Sequence, residues 1–230
     1  MSKPIAFATF DMFPDLTPHD RLAAEALRAR GLEVRPVLWD DETLNWANFA
    51  AVIPRSTWDY HKRRAAFSAW LEALDASGVP VWNPVPILRW NMDKRYLSAL
   101  DEKGVEITPT RWLAQGSEAN FVELMAAEGW EQMVVKPVVS AGADDTFRVT
   151  ADEAKARQRE FAEMLNQRDL MLQPFMEELS TKGEWSFIFF DRQFSHAVLK
   201  RPGQADTPVQ VHLCGSDQVS SAQDVLVSQA

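Results

Sequence analysis

The stretch "MVVKPVVSAGADDTFRV" (133–149) ends an apolar run in a lysine, Lys136, and follows it with a loop of small residues. A lysine at the end of a buried strand needs an anion beside it or must give up its charge. The residues after it, Ser140, Ala141 and Gly142 through Thr146, are small enough for backbone N–H groups to approach a phosphate. The same lysine could instead snorkel to water from a surface hairpin, and one glycine is a weak loop signal by itself. In "NMDKRYLSAL" (91–100), Lys94 stands early in an expected helix, where it either reaches a phosphate under that loop or is an ordinary surface lysine. "LQPFMEEL" (172–179) runs an apolar strand into Gln173, Phe175, Met176 and Glu177. Its backbone could hydrogen-bond an adenine edge while its side chains cover the ring, or it could be plain core. Glu184, opening "GEWSFIFFD" (183–191), could accept two ribose hydroxyls or be a solvated strand end.

"IPRSTWDYH" (53–61) carries a different chemistry. Leaving the C-terminal end of a parallel strand, Arg55, Ser56, Trp58, Asp59 and Tyr60 would face the crevice where α/β sheets bind ligands. An arginine suits a carboxylate and an aspartate suits an amine. The alternative is a connecting loop whose Trp58 and Tyr60 pack on the next helix. His196 reads as a packed or surface histidine and Cys214 as a bystander thiol.

The elements that must position these residues follow from periodicity. Residues 4–10, 32–39, 49–56 and 79–84 read as strands, and 18–31 and 63–78 as helices closed by glycines. Strands alternating with helices predict a parallel, Rossmann-like sheet, although the first βα junction lacks the G-x-G-x-x-G turn of a dinucleotide site. After about residue 90 the order changes. Helices are expected at 92–104, 117–129 and 151–167, with strands at 108–114, around Lys136, at 145–150 and at 170–177. Residues 183–191 and 193–201 should form an antiparallel hairpin turning at Asp191-Arg192. Pro84 and Pro86 punctuate the boundary. The expected division is an α/β Rossmann-like lobe over 1–88, an α+β lobe over 89–203 and an atypical tail over 204–230.

Composition narrows the class. At 230 residues with 46% apolar content the chain can bury a real core. A net charge of −9 and a pI near 5.0 argue against a nucleic-acid or anionic-membrane partner. A single cysteine excludes an intrachain disulfide, no run approaches the ~20 apolar residues of a membrane helix, and the opening is too short and polar for a signal peptide, so a cytoplasmic location is expected.

In this order the motifs resemble the ATP-grasp family, in its glutathione-synthetase-like branch. "IPRSTWDYH", "VVSAG", "GEWSF" and "SHAVLKRP" are most similar to the small proteins grouped with cycloserine synthetase. The resemblance covers the chain from the first strand to about residue 203. It implies a Rossmann-like lobe followed by an incomplete ATP-grasp lobe, ATP and Mg2+ as cofactors, and ligation of an amino-acid-like carboxylate to an amine through an acylphosphate. Lys94 and Lys136 would hold phosphates beneath the loop from Ser140. Gln173, Phe175 and Met176 would line the adenine slot, Glu177 or Glu184 would take the ribose, and Lys200 or Arg201 would meet the transferred group. The stretch beyond "KRPG" departs from the family, whose acidic magnesium ligands are not recognisable among Asp206, Asp217 and Asp224. The expectation is therefore a chain truncated at its C-terminus, either an active ligase or a non-catalytic relative serving as a nucleotide-binding or interaction module. A homodimer is compatible with the sequence.

Overall fold

The computed structural model describes residues 2–201 and 216–220, the last five by their backbone. Elements in chain order are β1 (Ile5–Thr9), α1 (Pro18–Arg28), β2 (Val34–Leu38), a 3-10 turn (Trp46–Asn48), β3 (Ala51–Ser56), α2 (Arg64–Ser77), α3 (Val85–Met92), α4 (Tyr96–Asp101) and β4 (Arg111–Leu113). There follow α5 (Phe121–Glu128), β5 (Gln132–Pro137), β6 (Phe147–Thr150), α6 (Ala151–Gln167), β7 (Leu170–Pro174), α7 (Glu177–Thr181), β8 (Glu184–Phe190), β9 (Gln193–Arg201) and β10 (Ser216–Ser220). Contacts group them into two compact units, one of residues 1–118, 136–146 and 162–171, the other of the remainder. No helix among the described residues is long and apolar enough to cross a membrane.

The first unit is built on the expected parallel sheet, with strand order β2-β1-β3. Both faces are apolar because both are covered. Alternate residues of β1 split between them: Phe7 packs with Leu16, Ala24 and Val34, while Ala6 and Ala8 join Trp39, Val52, Phe67, Trp70, Leu71 and Leu74. On α1, Ala24 is fully buried and Ala23 and Leu27 pack against the same cluster, while Leu22 is 65% exposed.

Two expectations fail between residues 79 and 104. The strand at 79–84 shrinks to a single bridge, Val52 with Val81, and α3 follows it. Pro84 and Pro86 are helix-start residues here, since proline at the first turn sacrifices no intrahelical bond. The helix expected over 92–104 is interrupted at Asp93, whose backbone is extended and whose carboxylate accepts from the Arg95 N–H at 2.9 Å. Lys94 consequently sits in the turn between α3 and α4, outside any helix.

In the second unit β5 and β6 pair antiparallel, Gln132 opposite Thr150 through Val135 opposite Phe147. Phe121 of α5 and Phe161 of α6 stack at 4.2 Å, both fully buried. The hairpin β8–β9 forms as expected, with Asp191 and Arg192 at φ 49° and 62°, the paired left-handed residues of a tight two-residue turn. A bulge between Ile188 and Phe189 then shifts the register. β10 continues this sheet beside β9. The segment after β7, expected to stay extended to residue 177, forms the short helix α7 instead.

Gly183 enters β8 at φ 84°, and a Cβ there would stand 2.4 Å from the carbonyl oxygen of Lys200. Gly183→Ala must therefore displace β9 as well as adopt a left-handed backbone. The expected loss is about 1–3 kcal/mol in urea unfolding, whereas Gly31→Ala, with open space around it, should lose only the conformational part.

Candidate functional site

The first unit gathers charged residues on the loop after β5. β5 alternates buried Met133, Val135 and Pro137 with half-buried positions, so Lys136 lies on the side opposite those three. Past the strand, Ser140 is buried and works as a hub. Its hydroxyl donates to the Pro137 carbonyl at 3.1 Å, and the Lys94 ammonium donates both to that hydroxyl, at 2.9 Å, and to the Ser140 carbonyl, at 2.6 Å. The Tyr60 hydroxyl approaches the same carbonyl at 3.5 Å. Lys94 is itself fixed by its backbone N–H, which donates to the Val138 carbonyl at 3.0 Å.

Burial and the nearby charge of Lys136 push the Lys94 ammonium down to about 8 from its ordinary 10.5. Two amines so placed, one of them desolvated, form a locus that an anion would stabilise. The loop between them and β6 turns twice, Asp144 N–H to Ala141 O and Thr146 N–H to Ala143 O, both at 3.1 Å. It holds Gly142, Ala143 and Asp145 at positive φ. Such conformations cost about 1–2 kcal/mol for a residue with a Cβ and concentrate at ligand clamps.

The loop after β3 is organised differently from the expectation of a row of ligand-facing residues. Arg55 donates from Nε to Asp20 Oδ1 at 2.7 Å, and the buried Ser56 hydroxyl donates to the other oxygen of Asp20. Burial by itself would raise the Asp20 carboxyl, but the hydrogen bonds from Ser56 and Arg55 and the charge of Arg55 outweigh it and hold the carboxyl below its usual range. Asp59 accepts from the indole N–H of the buried Trp39 at 2.8 Å. Trp58 is 45% exposed and meets Phe13 edge-on at 5.7 Å, whereas Tyr60 packs on Phe67. The five residues thus divide: Ser56, Asp59 and Tyr60 are tied into the unit, and Arg55 and Trp58 retain exposed surface. Asp20 and His61 were not singled out from sequence. Asp20 is readable only as an acid three residues after the helix cap Thr17, and His61 only as the last letter of the motif.

The second unit carries the other named residues. Gln173 is buried, Met176 is 39% exposed, and Glu177 opens α7. The Phe175 N–H donates to the Gln132 carbonyl at 3.0 Å while the Arg148 guanidinium lies 4.2 Å over the Phe175 ring. Glu184 and Lys200 are directly opposed across β8 and β9, 3.7 Å apart. Without the bulge, the register set by the turn would put Leu199 opposite Glu184. Arg201 ends β9, exposed. His196 meets the Ser195 hydroxyl at 3.0 Å. Asp206, Cys214 and Asp224 lie outside the described residues, and of Asp217 only the backbone is described.

Two lysines and a strained small-residue loop fit a polyphosphate. For a metal, no group of three His, Cys, Asp or Glu side chains is assembled among the described residues.

A family model described as the N-terminal domain of D-cycloserine synthetase DcsG matches residues 5–83. The cycloserine biosynthesis protein DcsG of Streptomyces lavendulae is 35% identical over 180 residues, or 76% of this chain; the chain spans 60% of the length of that curated relative. The crystal structure of D-cycloserine synthetase DcsG aligns with a TM-score of 0.83 at 29% identity, covering 98% of this chain and 77% of that one. An ATP-grasp RimK domain protein from Sphaerobacter thermophilus aligns at TM-score 0.65 and 19% identity, covering 85% and 72% of the two chains. A D-alanine–D-alanine ligase of Bacillus anthracis, solved with ATP, aligns at TM-score 0.65 and 14% identity, covering 99% and 74%. At those identities the last two speak to fold alone.

Proposed function

The chain is a homologue of D-cycloserine synthetase with the ATP-grasp fold, and from that premise we propose that it is an ATP-dependent ligase joining a carboxylate to an amine on an amino-acid-like substrate. The observation that carries this reading is the desolvated Lys94 ammonium, held on Ser140 at the base of the loop and lowered to about 8 by burial and by the charge of Lys136. A site that holds two cations together at an energetic cost is matched to a polyanion.

In the proposed reaction a substrate carboxylate oxygen attacks the γ-phosphorus of ATP, the bond to the β–γ bridging oxygen breaks, and ADP leaves. An amine nitrogen then attacks the acyl carbon of the resulting acylphosphate, phosphate departs, and the nitrogen gives up a proton. Phosphoryl transfer asks the protein mainly for positioning and charge neutralisation. Lys94 and Lys136 supply the charge, and the loop from Ser140, Ala141 and Gly142 covers the phosphates. Arg55 keeps exposed guanidinium surface beyond its bond to Asp20, which suits a substrate carboxylate, with Ser56 fixing the same aspartate and Trp58 offering an aromatic shelf. By the family's pattern we assign Gln173, Phe175 and Met176 to adenine, Glu177 or Glu184 to ribose, and Lys200 or Arg201 to the transferred phosphoryl. Magnesium would arrive with the nucleotide and neutralise its phosphates.

Calorimetric titration with ATP, with and without magnesium, followed by phosphate-release assays over a panel of amino acids, tests this reading. Magnesium-dependent binding and amine-dependent release are expected. Binding without release under any substrate pair would favour the nucleotide-binding module; no binding by the folded protein would overturn both.

A further inference from the structure

The first unit ties its two functional loops together through a side chain that neither role uses. His61, with a side chain only 10% exposed, meets the Trp58 carbonyl through Nδ1 at 2.9 Å and Asp144 Oδ2 through Nε2 at 3.0 Å. Both partners are acceptors, and the tautomer decides which ring nitrogen donates. Lys62 stands 3.7 Å from the same carboxylate oxygen, and on the next residue of the loop Arg168 binds Asp145. One anchor of this bridge is the Trp58–Lys62 segment after β3; the other is the tip of the loop whose Ala143 and Asp145 hold left-handed backbone.

We propose that His61 and Asp144 form a latch that positions the 140–146 loop over the nucleotide phosphates from the loop that recognises the substrate. His61 is a positioning residue here: it touches neither phosphate nor substrate. Its nearly buried ring, braced on the Trp58 carbonyl, fixes where Asp144 lies, and with it the backbone on either side, which would otherwise relax toward commoner conformations. The inference rests on the ATP-binding reading of the same site.

The sign of one substitution separates the latch from simple electrostatics. Deleting a negative charge beside a polyanion site, and releasing Lys62 from it, should tighten nucleotide binding. Loss of the latch should loosen it. Asp144 is 42% exposed, so Asp144→Ala leaves the packed core untouched.

The experiment is calorimetric titration of the full chain with the non-hydrolysable analogue AMPPNP plus magnesium. For Asp144→Ala and for His61→Gln we expect about 5-fold weaker binding each, with the double variant no weaker than either single one, the mark of a shared interaction. Asp144→Glu should recover part of the loss, and the melting temperature of Asp144→Ala should match the wild type. Wild-type affinity, tighter binding or fully additive losses in the variants, with AMPPNP bound normally by the wild type, would overturn the latch and leave the ATP reading intact. Failure of the wild type itself to bind AMPPNP would overturn the ATP reading, and the latch with it.

Discussion

Lys94→Met is expected to raise the Kd for magnesium ATP at least ~30-fold and to lower kcat/KM about 10²–10³-fold, the range found when a preorganised electrostatic donor is removed. This ammonium donates to the Ser140 carbonyl and hydroxyl, at 2.6 and 2.9 Å, so it is aimed at the base of the loop. Because burial and Lys136 lower it to about 8, a bound polyanion must draw it back toward full protonation. Titrations near pH 8, in buffers of different ionisation enthalpy, should register uptake of up to about half a proton per ATP bound. That uptake should vanish in Lys94→Met. In Lys136→Met, where the like charge is gone, it should shrink while affinity still falls. The folded-state value lies below the unfolded one, so between about 8 and 10.5 the unfolded chain binds more protons and stability rises with pH through that window. Below about 8 the full cost of the buried charge is carried. Lys94→Met should remove this slope and be no less stable than the wild type at neutral pH, which separates its catalytic defect from misfolding. Proton uptake equal in wild type and variant would show that Lys94 is not the group that meets the phosphates.

Asp20→Ala is expected to cost roughly 2–4 kcal/mol of stability in urea unfolding. Asp20 is 4% exposed and satisfies both Arg55 and the 2% exposed Ser56 hydroxyl, so its removal leaves a buried donor and a partly exposed guanidinium without their acceptor. Its carboxyl is held below the ordinary value, so its contribution is complete above the unfolded carboxylate range and is lost as pH falls through the folded value. Acid unfolding of Asp20→Ala should accordingly show a shallower dependence on pH below about 4. A second readout concerns the substrate. With Asp20 gone, Arg55 loses the partner that orients its Nε, and KM for the carboxylate substrate should rise more than kcat falls. An unchanged urea midpoint would show that the Arg55–Asp20–Ser56 cluster carries no net stability.

Much of the arrangement is local in origin and was therefore legible in the sequence. The parallel βα alternation, helix 151–167, the β5 lysine and its small-residue loop, and the Asp191-Arg192 hairpin each follow from periodicity, caps or turn chemistry within about twenty residues. The α3–α4 break was local too, but prolines that start a helix read as prolines that end a strand, and the Asp93 turn was hidden inside a helical pattern. What the tertiary structure alone decided is which distant side chains meet. Lys94 reaches Ser140 across 46 residues, Arg55 reaches Asp20 across 35, and His61 reaches Asp144 across 83. Glu184 faces Lys200 because one bulge shifts the hairpin register by a residue. Propensity and periodicity report the few residues around a position. A charge–charge or hydrogen-bonded contact depends on where two separately encoded segments arrive, and that is fixed by the packing of the whole unit.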